Sequence, residues 1–157
     1  MALCNTGHYL LGMNLHATCV ALNGYGVLLR GPSGSGKSDL ALRLLDQYAD
    51  AILVADDRVE VAVREGSLYA TVPPVIKGIL EVRGVGVVHV PHLDIVRVYL
   101  LVDLADAKTI QRLPEPDDEK ILGVRLGRLA LAPFESSAPA KLRQALRLIR
   151  AREMDTP

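Results

Sequence analysis

Gly26-Val27-Leu28-Leu29-Arg30-Gly31-Pro32-Ser33-Gly34-Ser35-Gly36-Lys37-Ser38 decides how this chain folds. Residues 26–30 form a short apolar run of buried-strand type, and the glycine-rich stretch 31–38 follows at once. Leu40, Ala41, Leu44, Leu45 and Tyr48 then recur at helical spacing to about residue 48, so the unit reads strand, loop, helix. Gly31-x4-Gly36-Lys37-Ser38 has Walker A spacing. Small residues let successive backbone N–H groups turn toward one point at a helix N-terminus, where partial positive charge favours phosphate. Lys37 adds a point charge for the β- and γ-phosphates, and the Ser38 hydroxyl can ligate Mg2+. Because the whole motif sits between an expected strand and an expected helix, an ordinary tight connection is the weaker explanation. Nucleotide binding through Gly31, Pro32, Ser33, Gly34, Ser35, Gly36, Lys37 and Ser38 is predicted.

Upstream, the mixed pattern to about residue 22 predicts a leading strand or two. Downstream, the apolar run 51–55 stops at Asp56-Asp57. Val59, Val61 and Val63 alternate with Glu60, Ala62 and Arg64 as in a half-exposed strand, and Glu65-Gly66-Ser67 reads as a hairpin turn with its return strand over 68–72. In 80–90, Gly84 and Gly86 interrupt β-branched sequence and predict a turn or a close backbone approach. Residues 97–102 predict a strand ending at Asp103. The acidic stretch 103–120, with Pro114 and Pro116, predicts a surface excursion, and short strands resume over 124–132. A closing helix over 138–152 carries Leu142, Ala145, Leu146 and Ile149 as one stripe. With no internal repeat, one α/β domain with a mixed sheet over residues 1–157 is the economical reading.

Composition narrows the function classes. The 157 residues carry 18 Lys+Arg against 18 Asp+Glu, and this balance argues against a dedicated nucleic-acid binder, whose affinity rests on clustered basic excess. With no Trp, one Phe and five Tyr, stacking platforms for single strands are also scarce. Apolar runs such as 98–102 fall far short of the ~20 residues that span a bilayer. Two cysteines and no charged leader followed by an apolar stretch predict a reducing cytoplasm. Cys4-x3-His8 and His16-x2-Cys19 superficially resemble zinc ligands, but structural zinc sites usually repeat tighter pairs.

Two positions offer a carboxylate to a bound nucleotide: Asp56-Asp57 after one buried strand and Asp103 after another. Sequence order favours neither. The adjacent pair is the more suggestive, because neighbouring carboxylates repel unless a cation or hydroxyl uses them. Glu81 and Arg83, two apart on an expected strand, would share a face toward metal and phosphate respectively.

His16, the 31–38 loop, Val54-Ala55-Asp56-Asp57-Arg58 and the run 80–89, Leu-Glu-Val-Arg-Gly-Val-Gly-Val-Val-His, together resemble the catalytic domain of HPr kinase/phosphorylase. The resemblance extends from about His16 to the end. It implies a P-loop α/β domain with a phosphoenolpyruvate carboxykinase-like nucleotide site, commonly a hexamer. It also implies ATP- and Mg2+-dependent phosphorylation of a serine on HPr, the phosphocarrier of the bacterial phosphotransferase system, with phosphorolysis as the reverse activity in many members. By position, the resemblance makes Lys37 the phosphate-binding lysine and gives Ser38 and Glu81 to Mg2+. One of Asp56 and Asp57, more readily Asp57, becomes the carboxylate that takes the serine proton. His16 matches the family's functional histidine, Arg112 an arginine near the transferring phosphoryl group, and 80–89 the stretch used in both reactions.

Two departures stand out. The family's long N-terminal domain does not precede the loop, so a catalytic domain standing alone is expected. Where many members carry a basic loop linked to dephosphorylation, this chain has Ala132-Pro133-Phe134-Glu135-Ser136-Ser137-Ala138, and weak or absent phosphorylase activity is expected. The alternatives are a small-molecule kinase, with Arg112 or Arg125 clamping substrate, and a module that senses nucleotide without turnover.

Overall fold

A computed structural model describes residues 9–155. Its strands are β1 Tyr9–Leu15, β2 Ala17–Leu22, β3 Tyr25–Arg30, β4 Ala51–Ala55, β5 Val59–Arg64, β6 Ser67–Thr71, β7 Ile79–Val82, β8 Gly86–His89, β9 Ile95–Leu104, β10 Asp117–Ile121 and β11 Val124–Leu131. The helices are α1 Lys37–Gln47 and α2 Ala138–Asp155. Nine strands form a mixed sheet in the order β1-β5-β6-β9-β3-β2-β4, with β11 pairing β9 and β10 pairing β11, while β7 and β8 make a separate hairpin.

The long strand β9 joins the sheet's two parts. Its first residues pair antiparallel with β6 (Thr71 opposite Ile95), and its last pair in parallel with β11 (Leu131 opposite Leu104). Along its other edge β9 runs parallel to β3, from Gly26 opposite Val98 to Arg30 opposite Asp103. Side chains on a strand alternate between faces, and the core follows that rule. Val27, Leu29, Leu100 and Val102 pack with Leu40, Ala41 and Leu44 of α1 and Leu142 and Leu146 of α2. Cys19, Leu28 and Leu101 pack on the other side with Val59, Val61, Val63, Leu68 and Ala70 of the β5–β6 hairpin. Covering both faces explains why β2, β3 and β9 read as continuous apolar runs. Cys19 is fully buried in β2, which pushes its thiol pKa up.

Strand direction positions the site. Since β2 is antiparallel to both β3 and β4, β3 and β4 run the same way, and their carboxyl ends lie at the sheet edge where β2 begins. The 31–36 loop, Asp56-Asp57 and His16 therefore meet at one edge. The expected elements over 51–55, 59–64 and 68–72 and the closing helix are present, the third as β6 Ser67–Thr71 and the last extending to Asp155. Three expectations change. The strand expected over 97–102 runs from Ile95 to Leu104, so that Asp103 lies inside it, paired with Arg30 and Ala130 on either side. Arg83 lies in the turn between β7 and β8, because Gly84 and Gly86 adopt positive φ and end the strand at Val82. Within the acidic stretch, Asp117–Ile121 forms strand β10 rather than surface excursion. Here cross-strand charge replaces apolar patterning, with Arg125 Nη1 donating to Asp118 at 2.8 Å. Among the described residues no helix is long and apolar enough to cross a membrane.

Candidate active site

The loop after β3 wraps into α1 through Gly36, which caps the helix at φ 100°. Only glycine adopts that conformation freely, and a Cβ there would lie 3.0 Å from the ring of Phe134. No side chain among the described residues caps α1, so its first N–H groups face outward with the positive end of the helix dipole. Lys37 is buried, and its Nζ donates to the loop's own carbonyls, Gly31 O at 2.5 Å and Pro32 O at 3.1 Å. Ser35 Oγ is buried with no hydrogen-bond partner among the described residues.

Beside the loop lies a cavity of about 400 Å3 whose walls include Lys37, Ser38, Asp56, Asp57, Glu81 and Arg83. Asp56 is held by hydroxyls: Ser38 Oγ donates to its Oδ1 at 2.7 Å and Thr18 Oγ1 to the same oxygen at 3.0 Å. The backbone N–H of Glu81 approaches Asp56 Oδ2 at 3.4 Å. Asp57 has φ 68°, a left-handed conformation that aspartate tolerates better than most residues, and its N–H donates to Thr18 Oγ1 at 3.2 Å. His16 Nε2 lies 2.6 Å from Asp57 Oδ1, and both side chains are about half exposed or more, at 48% and 64%. The repulsion expected of adjacent carboxylates is thus relieved by different partners, hydroxyls for Asp56 and an imidazole for Asp57.

The structure gathers most of the residues singled out from sequence. Lys37, Ser38, Asp56, Asp57, Glu81 and Arg83 line the cavity, and His16 reaches it through Asp57. Arg112 does not line it and stands in the exposed stretch between β9 and β10. Asp103, the competing carboxylate, is committed elsewhere. Arg30 Nε and Nη2 donate to its two oxygens at 2.8 and 3.0 Å, while Arg30 Nη1 and Nη2 also grip Glu119 at 2.6 and 2.9 Å. The hydrogen bonds from Arg30, joined by one from Arg128, hold the Glu119 carboxyl down at about 2. Cys4 and His8 lie outside the described residues. Two contributors were not singled out from sequence. Thr18 is a buried hydroxyl in an otherwise apolar strand, a pattern that itself signals a required partner. Phe134 lies against the loop, and no local motif marks it.

Mg2+ prefers hard oxygen ligands and usually takes only one or two carboxylates beside phosphate oxygens and water. The donor set fits that habit: one hydroxyl, Ser38, bonded to one carboxylate, Asp56, with Glu81 on the same cavity wall. No cluster of three or more His, Cys, Asp or Glu suited to holding a metal by itself occurs among the described residues.

Comparison with known proteins follows the same lines. HPr kinase/phosphorylase of Clostridium tetani is 44% identical over 96 residues, which cover 61% of this chain and 29% of that protein. HPr kinase/phosphorylase of Caldicellulosiruptor bescii is 36% identical over 128 residues, covering 74% of this chain and 40% of that protein. The chain thus spans less than half the length of these relatives. The solved structure of the Hpr(Ser) kinase/phosphatase from Coxiella burnetii shares the fold, with a TM-score of 0.79 at 23% identity, over 90% of this chain and 99% of that one. The family model described as HPr Serine kinase C-terminal domain matches residues 10–132. With that match spanning most of its length, the chain belongs to the HPr serine kinase C-terminal domain family.

Proposed function

We propose that this chain is an ATP-dependent protein kinase that phosphorylates a serine of HPr, built on a P-loop with a phosphoenolpyruvate carboxykinase-like nucleotide site and acting in the bacterial cytoplasm. The observation that carries this reading is the convergence on one cavity of a loop lysine, a hydroxyl–carboxylate pair (Ser38–Asp56, 2.7 Å) and a histidine–carboxylate pair (His16–Asp57, 2.6 Å). The buried Ser35 Oγ, without a partner among the described residues, and the Lys37 ammonium resting on its own loop's carbonyls suit a loop built around an anion.

Lys37 and the uncapped start of α1 hold the donor's phosphates, and Ser38, Asp56 and Glu81 would hold Mg2+. The metal, when bound, neutralises charge on the β- and γ-phosphates. A serine hydroxyl is a poor nucleophile near neutral pH, so a carboxylate beside it assists as its proton leaves. Asp57 is that carboxylate. The serine Oγ–phosphorus bond forms, the bond to the β,γ-bridging oxygen breaks, ADP departs, and the serine proton passes to Asp57. His16, donating through Nε2 to Asp57 Oδ1, holds the carboxylate by one oxygen and leaves the other to accept the serine proton. Arg112 enters this reading, at the transferring phosphoryl group, through the family resemblance alone, and so does assembly as a hexamer.

The deciding experiment incubates the protein with radiolabelled ATP, Mg2+ and HPr and locates the label. Phosphoserine on HPr supports the reading; label on a small metabolite supports a small-molecule kinase instead. The 132–138 loop offers no basic side chain to a phosphoserine, so phosphorylase activity is proposed to be weak. Brisk pyrophosphate release from serine-phosphorylated HPr and inorganic phosphate would overturn that part.

A further inference from the structure

A second cavity, of about 530 Å3, borders the glycine-rich loop at Pro32 and Ser35. Its walls include Pro32 from the loop, Leu104, Ala105 and Ala107 after β9, and Pro133 and Phe134 after β11. Since β3, β9 and β11 are parallel, these three segments all leave the carboxyl edge of the sheet, where open α/β sheets bind their ligands. The volume falls within the roughly 300–1,000 Å3 of small-molecule sites.

Phe134 lines both cavities. It is the chain's single Phe, and it stands 69% exposed on a braced loop. Arg43, from α1, donates to the carbonyls of Pro133 and Glu135, the latter at 3.2 Å, and Ala138 N donates to Glu135 O at 3.0 Å. An exposed apolar ring on a loop anchored by these hydrogen bonds presents a stacking face to a flat partner. The two cavities also differ in their cations. The first carries Lys37 and Arg83 beside Asp39, Asp56, Asp57 and Glu81, a set that can hold phosphates together with a metal, whereas the lining of the second has Asp106 and Glu135 and, among the described residues, no cation to receive a phosphate.

We propose that this second cavity receives the nucleoside of the phosphoryl donor, with its base stacked on Phe134, so that the natural donor is a nucleotide rather than pyrophosphate. The proposal rests on the nucleotide-dependent reading above. Phosphates at Lys37 and a base beyond Phe134 place the donor's anionic and aromatic ends where each is complemented. Stacking reads a π-face and not a hydrogen-bond pattern, so the site selects for a base more strongly than among purines.

Isothermal titration calorimetry of the full chain with Mg2+ and either ADP or pyrophosphate tests this. Wild type is expected to bind ADP the more tightly. F134A, and A107F, which fills the cavity from an exposed position, should each weaken ADP about ten-fold or more while shifting pyrophosphate by no more than about two-fold. F134W should retain ADP affinity. The proposal is overturned if F134A weakens pyrophosphate as much as ADP, since the ring then acts by shaping the loop at Gly36, or if A107F leaves ADP binding unchanged. Failure of wild type to bind pyrophosphate, or indifference of that binding to K37A, would instead bring down the phosphate-site reading.

Discussion

His16 Nε2 and Asp57 Oδ1 are 2.6 Å apart although 41 positions separate them in the chain, and each belongs to a segment that touches the carboxyl edge of the sheet. This pairing sorts the two adjacent aspartates. Asp57, held by an imidazole and half exposed, is accessible to an incoming hydroxyl; Asp56 is occupied by Ser38 and Thr18. D57N should therefore lower turnover by roughly 100-fold or more, the range of general-base contributions, while ADP affinity is preserved. Asparagine also tolerates positive φ, so the variant removes the charge without straining the turn. H16Q should lower kcat with little change in KM for ATP. Survival of turnover in a D56N/D57N double variant would refute Asp57 as base.

Thr18 is a positioning residue. Its hydroxyl donates to Asp56 and accepts from Asp57 N–H, so one buried group ties both carboxylate-bearing residues to β2. T18V keeps the shape and strands those partners, which predicts a loss of about 1–3 kcal/mol in urea unfolding. It should also raise the Mg2+ concentration needed for half-maximal activity, because Asp56 loses one of its two hydroxyl anchors. T18S should rescue both. A T18V variant with reduced stability and an unchanged Mg2+ requirement would confine Thr18 to a packing role.

Glu119 gives a pH prediction. Its carboxyl is held at about 2, chiefly by hydrogen bonding from Arg30, against an ordinary value of 4.5. A carboxyl whose pKa falls on folding stabilises the folded state fully above its unfolded value and loses that contribution as pH drops through the folded one. The stabilisation by Glu119 should thus be complete above about pH 4.5 and fade toward pH 2. E119Q should cost about 1 kcal/mol at neutral pH, a modest figure because the pair is partly solvated. Chemical denaturation of both proteins should show the gap narrowing across that window. A gap that is constant with pH would assign the loss to packing.

The strand–loop–helix unit was legible because both periodicities and the motif agree over residues 26–48. Asp56 and Asp103 were not separable in sequence, since each follows a buried strand. What separates them is register: Arg30 sits opposite Asp103 across the β3–β9 pair, 73 positions away, and takes its carboxylate. Strand β10 carries no sequence signature, because it is held by Arg125 and Arg128 to Asp118 and Glu119, and charge leaves no apolar alternation. Arg83 was expected on a strand. With positive φ at Gly84 and Gly86, the turn begins at Arg83 itself, yet the hairpin still brings Arg83 and Glu81 to one wall. Thr18 and Phe134 act through partners far along the chain, and no local window contains both members of such a contact.

Strand β9 also governs how the molecule comes together. Its neighbours β3, β6 and β11 come from both halves of the chain, so neither half can close its hydrogen-bond ladder until residues 95–104 are in place. Pairings this distant carry a large loop-closure entropy and make folding slow relative to helical domains of similar size. Conversely, no partial opening frees β9 without rupturing both parts of the sheet. Its amides should be the last to exchange with deuterium, at a free energy matching global unfolding, while those of the separate β7–β8 hairpin exchange through local opening. The cavity wall that carries Glu81 and Arg83 would then open and close around ligands without loosening the strand that sets the glycine-rich loop in position.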